Sequence, residues 1–142
     1  MKTTSNAALP IELQPPTFEP LYNGIVTCES ARIGVRLIRP VVAGMRAGAV
    51  VHVSIIGKDE QGVEVGSYEF SVLVTNPTQS DIIFVPLNLL SEIFVGEMIA
   101  TYSVFQDGTA TLSPSQKVQV YLRLAGGPSC LVHEGVKNTF KV

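Results

Sequence analysis

The sequence predicts an all-β fold, an antiparallel sandwich of about seven strands, and three observations carry that expectation. Stretches of alternating apolar and polar residues recur along the chain with the period of two that marks a half-buried strand. Polar turns containing Gly, Pro, Asn or Asp separate them, as in sandwich domains. No stretch holds a helical period over the three or more turns that a self-sufficient helix needs.

Residues 1–20 are a proline-rich leader with Pro10, Pro15, Pro16 and Pro20. Proline removes backbone donors and favours extended geometry, so this arm is expected to be neither helix nor central strand. Ile11, Leu13 and Phe18 stand among the prolines and point to an arm that docks on its own domain or on a neighbour.

The sandwich is expected over residues 21–124. Residues 21–27 read as a short strand broken at Asn23-Gly24. Residues 33–39 alternate, with Ile33, Val35 and Leu37 on one face and Arg36 opposite, and Pro40 ends them. Residues 49–56 place Val51, Val53 and Ile55 inward, His52 and Ser54 outward, before a polar turn over residues 57–62. In the stretch over residues 63–75, Tyr68, Phe70, Val72 and Val74 share a face. Residues 81–85 form a compact apolar strand stopped by Pro86, and residues 87–93 read as a helical turn or an irregular crossover. Met98, Ala100, Tyr102 and Val104 share a side of the next strand, which leads to a hairpin signal at Asp107-Gly108. The last strand sets Val118, Val120, Leu122 and Leu124 against Lys117, Gln119, Tyr121 and Arg123. Residues 125–142 form a second arm, opened by Gly126-Gly127-Pro128 and carrying Leu131, Val132, Val136, Phe140 and Val142. Residues 131–133 or 138–142 suit addition as a strand to a neighbour's sheet edge.

Gly44-Met45-Arg46-Ala47-Gly48, then Val51-x-Val53 and Gly62, resemble the opening of a bacterial immunoglobulin-like repeat of the invasin/intimin-related group. The resemblance continues through Val74-Thr75, Phe84-Val85-Pro86 and Leu89. It closes with Gly96, Tyr102-x-Val104, Ser113 and Val118-x-Val120. It covers roughly residues 33–124 as a single copy, and it implies an immunoglobulin-like sandwich and a role in binding at a cell surface.

Charged residues make up 15% of the chain and hydrophobic ones 46%, where an average domain is about 25% charged. That apolar excess must be hidden in the domain's own core or against partners. A domain of this length buries roughly two thirds of its unfolded surface, so it needs no metal or disulfide scaffold. A net charge of −2 with ten scattered Lys and Arg offers no basic stripe for nucleic acid. No apolar run approaches the ~18–20 residues that span a bilayer, so no membrane insertion is expected. The opening residues lack an apolar h-region, so no secretory signal peptide is expected. The implied location is a virion, or the cytoplasm before release, with the cell surface as the alternative. Cys28 and Cys130 fit no zinc or redox spacing. Without an export signal two unpaired residues are expected, a single long-range disulfide being the alternative.

Catalysis needs a nucleophile with a base, a metal cluster or paired carboxylates. His52 and His133, the only histidines, lack neighbouring ligands in sequence. Cys130 and His133 are three apart but sit in an arm without rigid support. Asp59, Glu60 and Glu64 read as a solvated turn rather than a calcium loop. No enzyme, cofactor or metal is expected. The expected function is a structural interaction module working through protein contacts or self-assembly, most concretely a virion decoration protein. The candidate contact residues are Ile11, Leu13, Phe18, Tyr121, Leu131 and Phe140. The alternative is a surface module for adhesion or carbohydrate, with Tyr121 as the best exposed aromatic.

Overall fold

The computed structural model describes residues 11–131. Its elements run β1 (Thr17–Glu19), β2 (Ile25–Val26), α1 (Cys28–Ile33), β3 (Arg36–Arg39), β4 (Val50–Asp59), β5 (Glu64–Leu73), β6 (Asp81–Phe84), α2 (Leu87–Ile93), β7 (Val95–Gln106), β8 (Thr109–Leu112) and β9 (Gln116–Tyr121). One sheet has the order β2-β9-β7-β4-β5, with β8 also on β7, and the other has the order β1-β3-β6. This is the all-β sandwich expected from the alternation. The described residues hold nine strands rather than about seven, because β1 in the leader and β8 after the Asp107-Gly108 turn are strands beyond those expected.

The long strands of the larger sheet follow from alternation. On β4, Val51, Val53 and Ile55 are fully buried, as are Met98, Ala100 and Val104 on β7. β7 has β4 along one side, from Val50↔Phe105 to Asp59↔Gly96. Its other side is shared between β8 and β9. The two form one return strand with an extra residue between them, since Ser103 faces Leu112 but Ala100 faces Gln116. Ser113 closes the interruption: its N–H donates to the Tyr102 carbonyl at 2.8 Å, and its Oγ accepts from the Tyr102 N–H at 3.0 Å. Asp107 and Gly108, both at positive φ (55° and 75°), make the tight β7–β8 turn. β2 pairs parallel with β9 and closes that margin of the sheet.

Two helices depart from the strand pattern. Residue 33 was expected to begin a strand but ends α1 instead, and Ile33 is exposed. The cause is a reciprocal cap: the Thr27 N–H donates to Ser30 Oγ at 3.0 Å and the Ser30 N–H donates to Thr27 Oγ1 at 3.4 Å. The crossover expected over residues 87–93 is a helix, α2, which buries Leu89, Leu90 and Ile93. It lies close on the sheet because Gly57 and Gly66 face each other on β4 and β5. A Cβ at Gly57 would stand 2.6 Å from Ile93 side-chain carbons, and one at Gly66 would stand 3.0 Å from Leu89.

Residues 11–20 belong to the core. Phe18 pairs with Leu37 across β1 and β3, and Leu13 and Phe18 are both buried. The Tyr102 hydroxyl donates to the Gln14 carbonyl at 2.7 Å, which holds the leader on the larger sheet. Residues 11–20 of the expected arm therefore fold on their own domain, and part of them is a strand, while residues 1–10 lie outside the described residues. Cys28 and Cys130, expected unpaired, form a disulfide with Cα atoms 6.1 Å apart and 102 residues of separation. The sheet brings them together: Cys28 follows β2, β2 lies on β9, and the Cys130 N–H donates to the carbonyl of Leu122, just past β9, at 2.9 Å.

The seating of residues 11–20 has a direct test. Phe18→Ala is expected to cost about 3–5 kcal/mol in urea unfolding, as for other buried phenylalanines. A loss below about 1 kcal/mol would place the ring on the surface.

Candidate interaction surface

Several ionisable groups of the described residues are held in local, structural contacts. Asp59 Oδ1 accepts the N–H groups of Gln61 (2.9 Å) and Val63 (3.0 Å), so it shapes the β4–β5 turn. His52 Nδ1 lies 2.8 Å from Ser71 Oγ, and its Nε2 lies 3.2 Å from a Glu69 oxygen, on the open face of the larger sheet. Cys130 is consumed by its disulfide, and His133 lies outside the described residues. Among the described residues no three His, Cys, Asp or Glu stand together as a metal-holding group, and no helix is long and apolar enough to cross a membrane.

Among the described residues Arg39 is the one charged side chain sealed in the core, at 1% exposure. Alternation puts it on the inner face of β3 beside Leu37, and it finds acceptors there. Its Nε and Nη2 donate to Asp81 Oδ2 at 2.9 and 2.6 Å, its Nη1 to the Pro40 carbonyl at 2.7 Å, and its Nη2 to the Gln79 carbonyl at 3.3 Å. Each nitrogen of the guanidinium is used, so the group clamps β3 to β6 and offers nothing to a ligand. Nearby, burial pushes the Tyr102 phenol above its ordinary range, and the charge of Arg39 works weakly against that shift. A shallow hollow of about 270 Å³ lies beside Phe105, rimmed by the Arg46–Asp107 ion pair.

What remains open is one margin of the larger sheet. β5 pairs with β4 from Val50↔Leu73 to Lys58↔Glu64 and, among the described residues, carries no strand on its other side. Ten residues therefore present one row of backbone donors and acceptors outward. The inner face of β5 is also incompletely covered. On β4, β7 and β9 the inward apolar side chains are at most 5% exposed, whereas Phe70 on β5 is 39% exposed and Tyr68 and Val72 are half-buried. The rings of Tyr68 and Phe70 stack with centroids 6.4 Å apart. On the outer face the end of the sheet is apolar. One cross-strand row runs Leu73, Val50, Phe105 and Ala110, and Leu112 lies in the next. Leu73, Phe105 and Leu112 are each more than half exposed.

The residues singled out in the sequence do not meet at this margin. Leu13 and Phe18 are buried and Ile11 packs against the same core, so these three hold the domain together and are not open to a partner. Leu131 also packs on the core. Tyr121 is exposed as its strand register requires, but it pairs with Val95 at the opposite side of the sheet. Phe140 lies outside the described residues. The shared face of Tyr68, Phe70 and Val72 was visible in the alternation. That β5 is the last strand of its sheet is a fact of topology with no local signal.

The Tyr102 contact generates a pH prediction. The fold favours the neutral phenol, so its contribution is complete below the unfolded-state pKa of about 10 and is lost as the pH rises through the raised folded value. Tyr102→Phe is expected to cost about 1–2 kcal/mol at neutral pH by leaving the Gln14 carbonyl unpaired, and to lose stability less steeply above about pH 10. Equal alkaline slopes for the two proteins in urea titrations would contradict this. Comparison with protein-family models, curated proteins and solved structures finds no match to this chain.

Proposed function

We propose that this chain is a non-enzymatic interaction module that binds another protein by taking an extended strand onto the edge of β5. The observation that carries this reading is ten residues of strand paired, among the described residues, on one side only. Natural sandwiches blunt such margins with lysine, proline, bulges or very short strands. β5 is long, lacks Lys and Pro, and has its one irregularity at its start, opposite Gly57 and Lys58. Strand addition satisfies those backbone groups, and partly open Tyr68, Phe70 and Val72 supply contacts for alternate side chains of the incoming strand. The likeness of the motifs over residues 33–124 to immunoglobulin-like repeats fits the same use, since such sandwiches work by contact. Decoration of a repeating particle is one setting for this activity, and attachment at a cell surface is another.

The reading is tested with a displayed library of random decapeptides against the full chain. Selected peptides are expected to alternate apolar and polar residues, and to shift amide resonances over residues 64–73. Binding that perturbs residues elsewhere would overturn the assignment to β5. Glycan-array binding without any peptide selected would favour the carbohydrate reading.

A further inference from the structure

The margin of β5 has a charge pattern as well as an open backbone, and the chain carries a segment that complements it. On the outer face of the larger sheet, Glu69 stands opposite Ser54 and Glu64 opposite Lys58. Ser54 and Lys58 are four residues apart on β4, and the irregularity near Gly57 absorbs the extra residue on β5. The two carboxylates are therefore spaced as i and i+4 of a regular strand. β5 itself holds no cation. On the inner face the same margin offers Tyr68 and Phe70.

Residues 136–142 read Val-Lys-Asn-Thr-Phe-Lys-Val. In an extended strand Lys137 and Lys141 share one face at the i, i+4 spacing, and Phe140 and Val142 share the other. Laid on β5, the two lysines meet the two glutamates while the apolar side continues the inner face. Either strand direction matches the charges. The parallel one also sets Phe140 and Val142 beside Tyr68 and Phe70.

Resting on the interaction-module reading above, we propose that residues 136–142 of one copy add as a strand to the β5 edge of a second copy. The geometry favours exchange between copies. Leu131 follows the disulfide at the β2–β9 margin, while β5 is the opposite margin. A strand outside β5 lies four strand spacings from β9, about 19 Å, and rising over the sheet face and descending again adds about 10 Å. Five residues from Leu131 to Val136 reach only about 17 Å. Donor and acceptor lie on different patches, so each added copy leaves a free donor and a free edge, and the contact propagates head to tail.

Sedimentation equilibrium of the full chain over a range of concentrations tests this. The wild type is expected to associate. Lys137→Glu/Lys141→Glu and Glu64→Lys/Glu69→Lys are each expected to weaken association at least tenfold, and the four changes in one chain to restore it. Urea midpoints close to wild type, expected for exposed charges, confirm that each variant is folded. A monomeric wild type, or association indifferent to the tail reversal, overturns the proposal. If decapeptides still bind over residues 64–73 in that case, the interaction module stands and only its occupant is wrong. If they do not, both readings fall.

Discussion

The two sheets are of unequal width, and most of the structure follows from that constraint. The two short strands β3 and β6 alone cannot cover a sheet built on strands of ten and twelve residues. The deficit is made up in three places. The leader adds β1 and seats Leu13 and Phe18, α2 covers the sheet at the paired glycines, and Ser113 mends the interrupted side of β7. Along the outer edge of β5 no described element does the same. The covered strands carry the stability and the uncovered one carries the surface available for contact.

The clamps are placed where the narrow sheet needs them. Arg39 joins β3 to β6 from inside, where a lone guanidinium would be costly and a fully bonded one is tolerated. The Cys28–Cys130 bond holds the opposite margin, where β2 contributes two residues of pairing. By constraining a loop of about a hundred residues, such a bond contributes up to about 4–5 kcal/mol in the chain-entropy picture.

Much of this was legible from residue order, and the rest was hidden for physical reasons. Val51, Val53 and Ile55, and Val118, Val120 and Leu122, declared their faces because a central strand exposes one side to the core along its whole length. Ile33 misled, since the pattern continued backwards through a helix whose cause is the local Thr27–Ser30 cap. Ile11, Leu13 and Phe18 were correctly singled out as residues that must dock, but alternation does not say on what. Arg39 broke the rule that charge faces water because its partner Asp81 is 42 residues away, and the cysteine pair is still more remote. The candidate site was the least legible part, because an edge is defined by the strand that is missing beside it.

Amide hydrogen exchange over β5 in dilute protein lacking residues 132–142 tests the central claim most directly. If the edge is open, amides directed toward β4 exchange slowly and those directed outward exchange fast, in strict alternation from residue 66 to 73, past the irregularity opposite Gly57 and Lys58. Uniform protection along β5 would mean that the edge is covered, and the account of this surface would fail.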